Sequence, residues 1–472
     1  MIATLNIFSI FAASRGWLIM MRKRIGIFGW GVVAPKTPNV TVFEKNLEQP
    51  DIMLSQFEGF GPNHFMVGKP EFDFHAYRDW INERFEPRKY AQLDSKMGNM
   101  VKYAIGAFIQ SLQQNPGMEK LLTELGNEAH VYVGTGIGDF PSAYKASIEY
   151  YKAWRSWNRF WCSSDQHPIL AEYYATSAEE QESRRELLGA PQDPSQFQMG
   201  SDEWHESVEV WESFWVNHNE NLKNYLQRLK EIEIEPLEGD IDNNKGHLIR
   251  KKASARKRLE REVGCPNPPW ASVQASLLWN INNIPAAQIT MLGKITGASM
   301  APVAACAGFI TSLKQACNSI QLGQAKVCVV GTTDPPPHEL TVSAFYDARV
   351  ISHDGVVSKP FTGLRGTHIA GGACVWIVGD YDYLTSLGMK PLGMEVVGIG
   401  LTSDAHHIIT PNNDGPRAAI RRALAEASVN ADEINTWDMH ATATPGDWTE
   451  LQNAIAEFPG RPCFTARKGS FG

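Results

Sequence analysis

The sequence contains no apolar run long enough to cross a bilayer, no C-x-x-C pair, no low-complexity tract and no excess of positive charge. Each absence removes a class of protein. A spanning helix needs about 20 consecutive apolar residues, so an integral helical membrane protein is excluded. The seven cysteines in 472 residues (Cys162, Cys265, Cys306, Cys317, Cys328, Cys374 and Cys463) follow no paired rhythm. That distribution argues for a reducing compartment, the cytoplasm, over a disulfide scaffold, and leaves one of the seven free to be a nucleophile. The 39 Gly and 27 Pro are scattered as turn punctuation, which removes collagen-like and linker readings. With 44 Lys plus Arg against 52 Asp plus Glu, the formal charge of −8 disfavours a wholesale nucleic-acid binder. What remains is a composition 43% hydrophobic and 20% charged, that of a globular, enzyme-sized chain with room for roughly two to four core-sized units.

Residues 1–20 include an apolar stretch ending at Ala13 but lack a positive n-region, and Arg15 interrupts the pattern. They read as a non-structural extension ahead of a start at Met20 or Met21, not as a secretion signal. Downstream, short apolar strands alternate with longer helical patterns. The pattern predicts a strand over Ile25 to Phe28 followed by a Gly-rich turn closed by Pro35, and a helix near Met97 to Leu112. It also predicts a strand over His130 to Val133, a helix from Ala307 to Leu322 and a strand from Ala325 to Val330. Strand and helix in alternation imply a layered α/β fold. A weak internal echo relates Ile25–Gly29 to Glu395–Gly400, and Val131–Gly136 to Asp438–Ala443. Two similar α/β halves would explain both pairs.

Between Pro141 and about Trp270 the texture changes. Trp154, Trp157, Trp161, Trp204, Trp211, Trp215 and Trp270 fall here, within a charge-dense helical periodicity. Ser201-Asp202-Glu203 opens an amphipathic run to about Ile232, with Trp204, Val208, Trp211, Trp215 and Leu222 at helical spacings. The segment reads as a helical insertion whose tryptophans either build its own small core or line an apolar substrate tunnel. The resulting organisation is an extension (1–20), a first half (21–140), the insertion (141–270), the remainder of the first half (271–390) and a second half (391–472).

Two segments carry chemistry. In the first, residues 298–309, an extended run ends on Cys306 at the start of a helix, flanked by the small residues Ala304, Ala305, Ala307 and Gly308. Unpaired N–H groups and the dipole at a helix start favour a thiolate, which predicts a lowered cysteine pKa. The small neighbours leave room for a substrate carbonyl. Taken alone, the segment favours a plain buried helix-start cysteine, since most cysteines are simply buried. In the second, residues 437–450, a strand end delivers His440. Thr442 and Thr444 follow in alternation, then a Pro445-Gly446-Asp447 turn into a helix. Alternation in an extended loop points both threonines to one side, suited to gripping an amide-rich arm. The final residues add Lys468 and a flexible Gly472.

In this order, the Cys306 segment, the H-A-T-A-T-P-G-D segment and the run from Lys468 to Gly472 resemble the β-ketoacyl-acyl-carrier-protein synthases, elongating condensing enzymes of the thiolase superfamily. Residues 283–289, Phe345 through Ser352, Lys359-Pro360-Phe361 ahead of Arg365, and Ser403-Asp404-Ala405-His406-His407 extend the match. The resemblance implies a thiolase-like fold of duplicated α/β halves in α-β-α-β-α layers, with the second half incomplete and an α-helical insertion. It implies catalytic roles for Cys306 as acyl acceptor, His440 as the first of two histidines, and Lys468. Thr442 and Thr444 correspond to the threonines that bind phosphopantetheine. The implied function is decarboxylative Claisen condensation of an acyl thioester, carried on the cysteine, with a malonyl-carrier thioester in fatty-acid or polyketide-type synthesis. No metal or organic cofactor is required. The implied partners are an acyl carrier protein and a second ketosynthase-like subunit, in a homodimer or heterodimer. The alternative is a non-catalytic partner of the chain-length-factor kind, against which the retained Cys306 and His440 argue.

There are departures from the family pattern. Ala441 stands where Gly is usual, the turn after Thr444 is one residue short, and residues 361–368 lack flanking aspartates. The second histidine of the pattern would follow Gly472. The resemblance implies a continuation of roughly 60–80 residues, and the chain as it stands is expected to be inactive and aggregation-prone.

Three weaker candidates are present. Residues 134–139, G-T-G-I-G-D, follow a strand but miss the dinucleotide spacing, and read as a strand-ending turn. His406 and His407 are adjacent and in a strand would face opposite ways, a poor metal pair. Lys245, Arg250, Lys251, Lys252, Arg256, Lys257, Arg258 and Arg261 form a basic helix. It is either a solvated face or a docking surface for an acidic carrier protein, with nucleic acid a lesser alternative.

Overall fold

The computed structural model describes residues 22–48, 52–58, 64–234, 241–406 and 412–472, with the backbone alone over 241–248. The expected extension, His407 and the Lys245 side chain lie outside the described residues. Contacts divide the chain into two units, Met1–Pro141 with Leu278–Gly472, and Ser142–Leu277.

In the first unit nine strands are described: β1 (Ile25–Val33), β2 (Ser55–Phe57), β3 (Phe65–Val67), β4 (Ala129–Gly134), β5 (Ser299–Met300), β6 (Val327–Asp334), β7 (Gly372–Asp380), β8 (Thr436–Asp438) and β9 (Cys463–Thr465). Five make one mixed sheet in the order β1-β7-β6-β4-β5. β6, β4 and β5 are parallel, and β7 runs antiparallel to both of its neighbours. The central strands are apolar on both faces because both faces are covered. Val131, Val133, Val327 and Val329 pack into one core with the helix Asn99–Gln113. Tyr132, Cys328 and Val330, one residue out of phase, pack into the other with the helix Gly308–Gln321.

The expected turn after Phe28 does not exist, because β1 runs on to Val33 through Gly29 and Gly31. These glycines serve close packing. A methyl on Gly29 would stand 2.2 Å from the Ser111 carbonyl oxygen, and one on Gly31 1.9 Å from that of Ala107. The helix Asn99–Gln113 therefore lies directly on the strand.

The proposed echo is weak at both places. Val131–Gly134 lie within β4, whereas of Asp438–Ala443 only Asp438, the last residue of β8, is in a strand. Residues 395–400 form no strand, in contrast to β1. They touch β1 through one bridge, Gly26 to Glu395, and through the Val396 N–H donating to the Ile25 carbonyl at 2.9 Å. Gly398 and Gly400 instead press on the helix Asp414–Ala427, where added methyls would meet the carbonyls of Ala423 and Ala419. The second half is thus represented by that helix, the helix Gly446–Glu457 and the parallel pair β8–β9.

The second unit, Ser142–Leu277, is helical and holds two apolar clusters of its own. Trp157, Trp161, Tyr225 and Leu259 form one, and Leu170, Tyr173, Trp211 and Trp215 the other. Its buried tryptophans therefore build its own core. Trp270 is exposed, packed edge-on against Trp157. The expected single run from residue 201 is two helices, Asp202–Asn217 and Glu220–Ile234. The break is made by the fully buried Asn219. Its side chain donates to the carbonyls of Trp161 (2.6 Å) and Gln166 (3.1 Å) and accepts the Leu222 N–H that opens the next helix. An amphipathic period cannot register such a break, since the apolar stripe resumes in phase beyond it. The basic helix spans Ile241–Val263, with Leu259 buried and Lys257, Arg258 and Arg261 exposed. Glu262 is bound by Arg228 at 2.8 Å and Glu260 lies 3.4 Å from Arg256. No described helix is long and apolar enough to cross a membrane.

Candidate active site

Cys306 stands exposed in a short 3-10 turn, Ala305–Ala307, immediately before the helix Gly308–Gln321. It lies one step outside the predicted helix start. Ala305, just before it, holds φ +45°, a left-handed conformation that a non-glycine residue adopts only when its surroundings hold it. Of the seven free thiols only Cys306 and Cys463 are exposed. Burial pushes the Cys317 thiol up to about 12 and holds Cys328 higher still, so neither is a nucleophile near neutrality.

The turn over residues 134–138 lies beside Cys306. Thr135 is paired with Val303, and its N–H donates to the Pro302 carbonyl at 3.2 Å. The N–H groups of Gly136 and Ile137, which a nucleotide loop would offer to phosphate, are already given to the Asp334 carboxylate at 3.0–3.1 Å. The turn ends a strand and cradles no phosphate.

His440 follows β8. Its backbone N–H donates to Glu450 Oε1 at 2.7 Å, and that of Ala441 to Oε2 at 2.8 Å. One helical turn earlier, Asp447, 1% exposed, accepts from the N–H groups of Ala443 (3.0 Å) and Thr444 (3.3 Å). Two carboxylates on one face of the helix Gly446–Glu457 thus hold four N–H groups of the preceding loop. The loop is not extended as expected, since Ala441 and Ala443 carry φ values of +22° and +61°. The hydroxyls of Thr442 and Thr444 nonetheless meet, with their oxygens 3.1 Å apart. The reversed backbone at Ala443 brings them together where alternation had been the argument. The usual Gly at position 441 is explained by the same backbone, which leaves right-handed space there.

Loss of surrounding water and then the nearby Lys468 ammonium push the His440 imidazole down to about 4, although the residue as a whole is exposed. It is neutral throughout the physiological range. Burial pushes the Glu450 carboxyl up, opposed by the two N–H groups it accepts and by Lys468. Lys468 opens the short helix Lys468–Phe471, which packs onto the first half of the chain. The Ser470 carbonyl accepts from the Met53 N–H at 2.9 Å, and the Phe471 ring lies 5.4 Å from that of Phe43.

The structure therefore brings Thr442 to Thr444 and Lys468 to His440. Cys306 is carried separately, by the five-stranded sheet, and is not among the groups that set the His440 charge. A crevice of about 1090 Å³ lined by Trp30, Tyr77, Trp80, Leu392 and Met394, among others, includes neither Cys306 nor His440. No cluster of three or more potential metal ligands occurs among the described residues. Sequence reasoning assigned no role to Asp334, Asp447 or Glu450. For the last two a signal existed, paired carboxylates at i and i+3 near a helix start, where they complement free N–H groups.

The fold, with an exposed cysteine ahead of a helix in one segment and a histidine after a short strand in another, is thiolase-like. Residues 256–379 match the β-ketoacyl synthase N-terminal domain and residues 394–468 the β-ketoacyl synthase C-terminal domain. Over these two stretches, less than half of its length, the chain is similar to the β-ketoacyl synthases. It is 31% identical over 171 residues to nodulation protein E of Rhizobium meliloti, covering 36% of this chain and 42% of that protein. It is 33% identical over 201 residues to a 3-oxoacyl-[acyl-carrier-protein] synthase homolog of Saccharomyces cerevisiae, covering 41% and 45%. The chain spans about half or less of the length of the curated relatives it matches. Among solved structures, the ishigamide ketosynthase/chain length factor matches with a TM-score of 0.60 at 19% identity, covering 96% of this chain and 82% of that one. A β-ketoacyl synthase from Burkholderia phymatum matches at 0.57 and 15% identity, covering 94% and 80%. The structural likeness thus reaches well ahead of residue 256, where the family match begins.

Proposed function

We propose that the protein catalyses β-ketoacyl synthesis with Cys306 as acyl acceptor. The observation that carries this reading is an exposed helix-start cysteine standing on a strained turn, in a chain that also brings Lys468 near His440. The Cys306 sulfur attacks the carbonyl of a carrier-bound acyl thioester. The new C–S bond forms as the old one breaks, and the carrier thiol leaves with the proton Cys306 gave up. Backbone N–H groups at the turn stabilise the oxyanion. A malonyl thioester then loses CO₂, and the neutral His440 donates a hydrogen bond to the enolate oxygen. The enolate carbon attacks the acyl-Cys carbonyl, expelling the Cys306 thiolate, which is free to take a proton from solvent, and leaving the β-ketoacyl product on the carrier.

In this reading Thr442 and Thr444 bind the phosphopantetheine arm. The arm belongs to the substrate, and the chemistry calls for no other cofactor. The partners are an acyl carrier protein and a second ketosynthase-like subunit, the same chain or a related one. One solved neighbour is a type II polyketide ketosynthase in complex with its acyl-carrier protein, and another is a ketosynthase with its chain length factor. Seven free thiols suit a reducing compartment such as the cytoplasm; one relative, from Arabidopsis thaliana, is named as mitochondrial.

The test is acyl loading. Incubation with an acyl-carrier thioester, proteolysis and mass spectrometry are expected to place the acyl group on Cys306 and to find none in Cys306→Ala. An unmodified Cys306 would overturn the reading and leave the non-catalytic, chain-length-factor-like partner in its place.

A further inference from the structure

We infer that Asp334 is a positioning residue for the nucleophile, its carboxylate holding the turn over residues 135–138 against the bend that presents Cys306. The catalytic meaning of this rests on the reading of Cys306 above, while its geometry stands separately.

Asp334 is the last residue of β6, which runs parallel to β4 with Thr332 opposite Gly134, so both strands end on the same side of the sheet. There the Asp334 carboxylate accepts the Thr135 hydroxyl at 2.7 Å, the Gly136 N–H at 3.0–3.1 Å and the Ile137 N–H at 3.1 Å. Thr135 Oγ1 in turn accepts the Gly138 N–H at 2.9 Å. Among the described residues no cation forms an ion pair with Asp334, so these donors are what its charge is satisfied by. A turn with Gly at 134, 136 and 138 would otherwise be the most mobile kind of backbone. One carboxylate converts it into a fixed surface.

That surface touches the chain on both sides of Cys306. A methyl on Gly136 would meet Asp334 Oδ2 at 3.0 Å and the Ala305 carbonyl oxygen at 3.5 Å. A methyl on Gly308 would meet Thr332 Oγ1 at 3.3 Å and the Thr135 carbonyl oxygen at 3.7 Å. Pro302 and Val303 are hydrogen-bonded or paired to Thr135. The left-handed Ala305 thus sits on a turn that Asp334 makes rigid, and strain of this kind persists only where the surroundings over-determine it. Released from Asp334, Ala305 would relax towards an ordinary φ and rotate the Cys306 sulfur and its N–H away from a bound carbonyl. A plain strand-end cap would leave Cys306 indifferent to the loss.

The experiment uses the full chain and two readouts, amide hydrogen exchange over residues 303–308 and acyl transfer to Cys306 from an acyl-pantetheine thioester. Asp334→Asn is expected to speed exchange over 303–308 by about tenfold and to slow transfer by about tenfold to a hundredfold. Thr135→Val, which keeps the charge, is expected to act in the same direction and stands in if Asp334→Asn fails to fold. Adding Ala305→Gly, which adopts the bend without strain, restores part of the transfer rate. Unchanged exchange over 303–308 in the folded variants overturns the inference, as does a transfer loss that Ala305→Gly leaves untouched. If the unsubstituted chain transfers no acyl group, the proposed function fails and exchange alone decides the role of Asp334.

Discussion

The two reactive segments of the first unit are held by opposite means. Cys306 is placed chiefly by backbone, through strands buried on both faces, glycines that allow helix and turn to close in, and a left-handed residue at the bend, with Asp334 the one carboxylate clamping the adjoining turn. His440 is placed by side chains, since β8 and β9 are three residues each and two carboxylates of the following helix grip the loop. A large sheet fixes a segment by the register of many hydrogen bonds. A two-stranded one cannot, so buried acceptors take over the task. The nucleophile side is therefore sensitive mainly to added volume, with Asp334 its polar exception, and the histidine side to lost polar groups.

Substitutions that reverse these sensitivities would break the comparison. The largest effect is expected from Gly31→Ala, whose methyl would lie 1.9 Å from the Ala107 carbonyl oxygen. It should force β1 off its helix and destabilise the unit by about 3 kcal/mol in denaturant titration; a loss near zero would show that the contact can yield. Next is Asp447→Ala, which strips the Ala443 and Thr444 N–H groups of their acceptor. Leaving them unsatisfied should cost about 2 kcal/mol, together with weaker binding of a pantetheine thioester in calorimetry. Retention of both stability and binding would move the Thr442–Thr444 geometry elsewhere.

Ala305→Gly is expected to stabilise by about 0.5–1 kcal/mol. Relief of a left-handed alanine exceeds the entropy cost of glycine, and the exposed methyl buries nothing. A lowered melting temperature would contradict the strain. Smallest in structural terms is Lys468→Met, which removes one charge. Because Lys468 is the lesser of the two forces lowering His440, the imidazole should move only part of the way back up, as read by NMR titration. The sign for stability follows from linkage. A histidine depressed from 6.5 to about 4 costs the fold nothing above 6.5, and stability is lost as the pH falls through that window. The variant should lose less over the same range, and an unchanged titration would remove Lys468 from the site.

Much of the first-half sheet was legible because β4, β6 and their covering helices are long, apolar and periodic. Their ends fell within a few residues of the predicted ones. Gly29 and Gly31 were misread as a turn because a glycine that admits a helix and one that reverses the chain look the same in one dimension. The 395–400 echo misled for a related reason, since a strand-like pattern forms a strand only where a neighbour supplies hydrogen bonds. Cys306, His440, Thr442, Thr444 and Lys468 were all singled out from their segments. Asn219, which splits one amphipathic run into two helices, was not, because its partners Trp161 and Gln166 precede it by more than fifty residues.

By itself the sequence determined the long strands and helices of the first-half sheet, which cysteine precedes a helix, and the order in which the reactive residues arrive. These follow from propensities and periods that act over a few residues. Tertiary structure alone decided that Asp334 binds Gly136 across 198 positions, that Ala305 and Ala443 turn left-handed, and that Lys468 lies near enough to lower the His440 imidazole further. Such contacts depend on how distant segments close on one another, and a local pattern carries no record of that closure.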